Sequence, residues 1–381
     1  MLSTELEQVL NRFDEYIEKK DFTRVLNECK DLLKKYPKEA DLFYYLARAE
    51  KVLDNKKLAL EHFTKAINLN SKYQKAYNER GLLLCSNGAA REALRDFDIA
   101  IELNENDFTA YNNRGLAKSE LQDYKGAFAD YSKSIELYPK WHVAYNNRGY
   151  VAYKMQNYSL AIKDFTTSLE IKPDDSYVYY YRGLAKSASN DILGAMSDYT
   201  KSIQISPNQS ATYNNLAKLK ADIKDYEGAI ADYTKAISLN PSWSVAYNNR
   251  GKIKQITGDK DGALADYNKA ISLNSKDIGA YSNRSYLKYS LGHYQSAIDD
   301  CDKIIRLFPN YGLAFCIRGL SRQALGQYRS ALSDLKQAAK YTPNDSQLQE
   351  SIVLLEAAIE NQKESNGQGS LLDNISNMFK F

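Results

Sequence analysis

Apolar and small residues recur at three- and four-residue steps through most of this chain, and a short polar stretch such as Leu121-Gln122-Asp123 or Met155-Gln156-Asn157 breaks each run. Steps of that size place the apolar residues on one face of an α-helix, so each run predicts an amphipathic helix and each break a turn. The pattern then repeats. Ala-Tyr-Asn-Asn-Arg-Gly begins at Ala110, Ala144 and Ala246, intervals of one and three times 34 residues.

Steps of 34 from Tyr111 meet an aromatic every time: Phe43, Tyr77, Tyr111, Tyr145, Tyr179, Tyr213, Tyr247, Tyr281 and Phe315. Four residues later only small residues occur, from Ala47 and Gly81 to Ser285 and Gly319. Twelve further on, an unbroken alanine column runs from Ala59 to Ala331, and four residues after it a second, mostly aromatic column runs from Phe63 through Tyr267 to Cys301 and Leu335. Prolines 139, 173, 207, 241, 309 and 343 fall between units, where they stop one helix without interrupting the next. A small residue facing another helix lets the backbones approach, and a larger one would overpack the contact.

A 34-residue helix–turn–helix with these columns resembles the tetratricopeptide repeat. The resemblance covers about residues 40–343 as nine repeats and implies an all-α fold, an α-solenoid whose stacked units wind into a right-handed superhelix. Residues 1–39, with Val25 and Pro37 at the alanine and proline columns, are expected to form a degenerate capping helix pair, and residues 344–363, with Leu348, Ile352, Leu355 and Ile359 on one stripe, a solvating helix. The last segment, 364–381, reads as a linker and a short amphipathic tail: Leu371, Leu372, Ile375, Met378 and Phe379 share one helical face that would dock on a partner, fold back, or belong to a plain disordered end.

Where the family usually carries leucine before the small column, this chain has arginine in seven of nine repeats, Arg80, Arg114, Arg148, Arg182, Arg250, Arg284 and Arg318. An aspartate recurs before the second aromatic column in eight, at 96, 130, 164, 198, 232, 266, 300 and 334, and the first full repeat replaces both partners, with Leu46 and His62. Pairing within a repeat is the simpler reading, and Leu216, which keeps Asp232, is its exception. Such pairs are architecture rather than a ligand site.

Two asparagine columns precede the arginine: Asn78, Asn112, Asn146, Asn214 and Asn248, then Asn113, Asn147, Asn215, Asn249 and Asn283. Adjacent helical residues point about 100° apart, so beside a core-facing aromatic at most part of each pair is buried. The family resemblance places these residues in the concave groove, where they are similar to the asparagine ladder of the O-GlcNAc transferase superhelix. A side-chain amide both donates and accepts, which suits the backbone of an extended peptide. Bonds between neighbouring helices, or simple copying by duplication, are the competing readings. In the fifth full repeat Tyr180 and Tyr181 replace the asparagines and Tyr177 joins them; with Tyr150 and Tyr153 they would line an aromatic pocket or else pack between helices. Lys218 and Lys252 stand near the later asparagines and suit an acidic group. The stretch from Ala280 to Lys303 is similar to the chaperone-tail clamps of co-chaperones, but Leu313 and Ile317 occupy its remaining basic positions.

Composition narrows the rest. Lys plus Arg number 51 against 48 Asp plus Glu, and a net charge of +3 argues against nucleic acid. Four cysteines without a close pair read as reduced thiols and point to the cytoplasm. Neither a secretion signal nor a membrane span is expected, since no run reaches 18 apolar residues. The histidines lie in three distant repeats and no phosphate-cradling loop occurs, so no catalysis, metal or cofactor is expected. The expectation is a non-catalytic adaptor that holds an extended peptide of a partner protein; the alternative is a scaffold that self-associates through its ends and tail.

Overall fold

The computed structural model describes residues 4–364; the amphipathic tail expected at 371–381 lies outside them. The chain divides into two compact units after Ile205. Among the described residues every regular element is an α-helix.

The first unit is six helix hairpins in sequence: α1 (Thr4–Glu18) with α2 (Phe22–Lys35), α3 (Ala40–Val52) with α4 (Lys56–Leu69), α5 (Gln74–Ser86) with α6 (Ala90–Leu103), α7 (Phe108–Glu120) with α8 (Tyr124–Leu137), α9 (His142–Lys154) with α10 (Tyr158–Ile171), and α11 (Ser176–Ala188) with α12 (Ile192–Ile205). The second unit has four, α13 (Ser210–Asp222) with α14 (Tyr226–Leu239), α15 (Ser244–Ile256) with α16 (Lys260–Leu273), α17 (Ile278–Ser290) with α18 (Tyr294–Leu307), and α19 (Gly312–Ala324) with α20 (Tyr328–Ala339), followed by the single helix α21 (Ser346–Glu364). Within each unit a hairpin packs on the next one in sequence, and the first helices of successive hairpins also touch, which is α-solenoid architecture. In the first unit, α1 and α2 bury Leu6, Val9, Phe13, Val25 and Cys29 against Phe43 and Tyr44. In the second, α21 buries Leu348, Ile352 and Leu355 against Phe315 and Leu335.

The small column works as a seat for the second aromatic column. A Cβ added to Gly81 would lie 2.7 Å from the Phe97 ring, and one added to Gly183 would lie 2.7 Å from the Tyr199 ring. Gly115 on Tyr131, Gly149 on Phe165 and Gly251 on Tyr267 repeat the arrangement. Size is exchanged across the contact in one repeat, where Ser285 replaces glycine and the residue opposite is Cys301.

Every hairpin turn contains one residue in the left-handed region, again at a spacing of 34: Lys20, Asp54, Gly88, Gln122, Gln156, Asn190, Lys224, Gly258, Gly292 and Gly326. This conformation ends the first helix of each hairpin and costs an L-residue about 1–2 kcal/mol. Only four of the ten positions hold glycine, so the chain carries avoidable strain.

All seven arginines fork onto the aspartate of their own hairpin. Arg148 donates from Nε to Asp164 Oδ2 and from Nη2 to Asp164 Oδ1, both at 2.8 Å. The same two-bond fork joins Arg80 to Asp96, Arg114 to Asp130, Arg182 to Asp198, Arg250 to Asp266, Arg284 to Asp300 and Arg318 to Asp334. The third arm, Nη1, reaches the second helix of the preceding hairpin: Thr64 from Arg80, Ser132 from Arg148, Thr234 from Arg250 and Asp302 from Arg318. The arginine thus ties three helices together.

Most of the aspartates also receive a second cation. Lys118, Lys186, Lys254, Lys288 and Arg322, four residues after the arginine, lie 2.6–3.0 Å from aspartates 130, 198, 266, 300 and 334. Asp232, opposite Leu216, has Lys220, at 2.6 Å, as its one ion-pair partner among the described residues. In the first full repeat the polarity is reversed, because Glu50 occupies the lysine column and lies 2.6 Å from His62 in the aspartate column. Glu50 is 2% exposed, so the exchange keeps a buried carboxylate partnered.

Three outcomes follow from this packing. Arg148→Leu should cost about 3 kcal/mol, since Asp164 has only Ala152 at the second-cation position and would be left unpaired; Arg250→Leu should cost about half as much because Lys254 remains, and adding Asp164→Leu to the first variant should recover much of its loss. Chemical denaturation of the four proteins checks the order, and equal midpoints would remove the pairing account. Gln156→Gly should raise stability by about 1 kcal/mol by relieving the left-handed strain, while Gly258→Gln should lower it similarly. The third concerns alkali. Burial pushes Tyr44 and Tyr233 up to about 12 and raises Tyr131, Tyr199 and Tyr267 as well. The folded chain therefore keeps phenol protons that the unfolded chain releases above about pH 10, so stability is intact below that pH and falls as pH rises towards 12. Thermal melts from pH 8 to 11 should decline steeply only beyond about pH 10.

Candidate functional site

The asparagines occupy the middle of the first helices α5, α7, α9, α13, α15 and α17, on a face set by the neighbouring aromatic that packs inward. In the first unit these residues bond across consecutive hairpins. Asn113 Nδ2 donates to Asn78 Oδ1 at 2.9 Å, and Asn147 Nδ2 donates to Asn112 Oδ1 at 2.9 Å. Asn112 Nδ2 in turn donates to Asn113 Oδ1 at 3.3 Å. Asn112 and Asn113 are buried and offer little to a guest, whereas Asn78, Asn146 and Asn147 are half-buried. Asn146 has no hydrogen-bond partner among the described residues, because the residue that would donate to it from α11 is Tyr181 rather than asparagine.

The five tyrosines do not share one environment. Tyr150, Tyr181 and Tyr180 form an edge-on chain, with centroids 5.3 Å apart at each step, that leads down to Tyr199 and Phe165. Burial raises the Tyr181 phenol. Tyr153 turns instead to Tyr158, 5.8 Å away, and Tyr177 is 64% exposed. The helices bring Tyr150, Tyr180 and Tyr181 together as packing residues and leave Tyr177 on the surface.

On the same row of helices lies a polar cavity of about 320 Å³ that no residue pattern foretells. It is lined by Tyr44, Gln74, Asn78, Glu79, Asp107 and Thr109, among others. Gln74 donates to Asp107, and Lys51 reaches Glu79 at 2.8 Å. A second hollow, of about 650 Å³, surrounds the Arg80–Asp96 fork and includes Leu60, Leu84, Arg91 and Arg95.

In the second unit Asn283 Nδ2 donates to Asn248 Oδ1 at 3.0 Å, the same bond as in the first. One hairpin earlier it is not made. Asn214 is buried and donates to Asn215 Oδ1 at 3.4 Å, and its own Oδ1 is buried without a donor. Asn249, placed to fill that role, has no partner among the described residues. Lys218 and Lys252 are exposed on this face, as are Val245, Tyr286 and Leu313, each about half.

Among the described residues no group of three His, Cys, Asp or Glu side chains could hold a metal ion, and no helix is long and apolar enough to cross a membrane. The four thiols are unpaired, and burial raises them, Cys85 to about 11 and Cys301 to about 12, so they are poor nucleophiles near neutrality.

Models of the tetratricopeptide repeat match residues 142–175 and 210–242 in one form, and 108–140, 244–277 and 278–311 in another. Comparison with curated proteins finds no match. Among solved structures, Pseudomonas aeruginosa pilF is 18% identical, with 54% of this chain and 94% of that one covered at a TM-score of 0.50, a likeness of fold. MamA from Desulfovibrio magneticus RS-1 is 24% identical over 44% of this chain and 96% of its own, at 0.42. YrrB, described as a TPR protein with an unusual peptide-binding site, is 21% identical over 48% and 95%, at 0.44. With five matched segments in one 34-residue register, and the same hairpins continuing before, between and after them, this chain belongs to the tetratricopeptide repeat family.

Proposed function

We propose that the chain is a non-catalytic adaptor that holds an extended segment of a partner protein against the asparagine-bearing face of its first helices. The observation that carries this reading is the state of the amides. Each bond such as Asn147 to Asn112 uses one N–H and one carbonyl and fixes both side chains, yet half-buried Asn147 and Asn283 keep a second N–H and a carbonyl that no partner among the described residues engages. Amides held in place by their neighbours lose little entropy when a guest arrives. Asn146 and Asn249 have both groups available. A main chain needs donors and acceptors in alternation, and a row of amides supplies both without regard to the guest's side chains. The unpaired thiols suit a reducing, cytoplasmic setting.

The two kinds of asparagine separate stability from binding. Asn147→Ala should destabilise the fold by about 1–3 kcal/mol, because Asn112 Oδ1 would be buried without its donor. Asn146→Ala combined with Asn249→Ala should leave the melting temperature nearly unchanged and sharply reduce partner capture. Pull-downs with the intact protein and the double variant, read by mass spectrometry, check this, and identical partner sets would refute the reading.

A further inference from the structure

Helices α13 and α15 each contain a Lys-x-Lys sequence, and the two lysines of each pair have different fates. Lys220 pairs with Asp232 at 2.6 Å and Lys254 with Asp266 at 3.0 Å, which places them among the structural cations. Lys218 and Lys252 stand two residues earlier, about 200° around the helix, and therefore point away from those aspartates. Both are exposed, and neither has an ion-pair partner among the described residues; Asp222, one turn beyond Lys218, does not reach it. Spacings of three and four residues put Lys218 on the face of Asn214 and Asn215, and Lys252 on the face of Asn248 and Asn249.

The asparagine row is incomplete at the same place. Asn249 does not donate to Asn214, whose Oδ1 is consequently the asparagine oxygen left buried without a donor. Helices α13 and α15 are in direct contact, so two unpaired ammonium groups and one unengaged amide lie on adjacent helices of a single unit. The first unit offers nothing equivalent: its residues at the same helical position are Arg48, Leu82, Leu116, Tyr150 and Leu184, and Arg48 lies over the Tyr44 and Tyr45 rings with Asp14 3.8 Å away.

We infer that this part of the second unit selects an acidic segment of the partner, with two carboxylate side chains on Lys218 and Lys252 and the main chain between them on Asn249. The inference rests on the peptide-binding reading above and adds the chemistry of the guest. Packed helices lie about 8–10 Å apart, and a polyproline-like extended chain returns to the same side every third residue after about 9 Å. The matching sequence is a pair of acidic residues three apart.

The test measures fluorescence polarisation of three labelled peptides against the full chain: one with glutamates at positions i and i+3 in an alanine–proline background, and its glutamine and lysine counterparts. The wild-type chain should bind the glutamate peptide about five- to tenfold more tightly than the glutamine peptide, the range two partly exposed ion pairs supply, with the difference shrinking as salt is added. Lys218→Glu combined with Lys252→Glu should transfer the preference to the lysine peptide, an outcome that a misfolded variant cannot produce. Equal binding of glutamate and glutamine peptides overturns the acidic preference and leaves the peptide-binding reading standing. Retained glutamate preference in the double variant overturns the assignment to these lysines, and binding of none of the peptides counts against both readings.

Discussion

The arginine–aspartate fork is the constraint on which the rest of this structure depends. A hairpin of two short helices buries too little apolar surface to fix its own geometry, and the glycine-on-aromatic contact sets only how closely the helices approach. The fork sets the angle and register as well, because a planar guanidinium meets a carboxylate with two parallel bonds in one orientation. Its third arm carries that orientation to the preceding hairpin. Arg148, for example, binds Asp164 and Ser132 at once, so α8, α9 and α10 are positioned by a single side chain.

Such a device is costly to leave incomplete, which explains the irregular repeats. Where the second cation is added, as with Lys118 beside Asp130, the carboxylate is partnered twice. Where the arginine is lost, as at Leu216, the lysine column still supplies Lys220. In the first full repeat both halves change together, and Glu50 with His62 restores a pair of opposite polarity. A lone substitution would strand a buried carboxylate; a reciprocal one does not.

The alternation of helix and turn, the small and aromatic columns and the Arg–Asp pairing were all legible in the residues, because a 34-residue period repeats each local rule about nine times and suppresses chance. The lysine column was equally periodic, but its role was not legible: a lysine in the last turn of a helix is ordinarily solvated, and only the helix crossing shows that it reaches an aspartate twelve residues on. The left-handed turn residues escaped for a different reason. Glycine marks four of them, and Lys20, Asp54, Gln122, Gln156, Asn190 and Lys224 hold the same conformation without advertising it.

The asparagines mark the limit of periodicity as a guide. A helical repeat assigns a side chain to a face, yet the choice between a neighbouring helix and a guest depends on which partner lies within about 3 Å, and that is decided by the residue 35 positions away rather than by the residue itself. Asn112 and Asn146 occupy the same column, but one meets Asn147 and the other faces Tyr181, so one is tied and the other is not. Lys218 and Lys220 differ in the same way, by the presence or absence of an aspartate opposite. In a repeat protein the groups available for recognition are therefore best found where the repeat fails, since a faithful copy finds its partner in the next copy and an orphaned one remains open to something else.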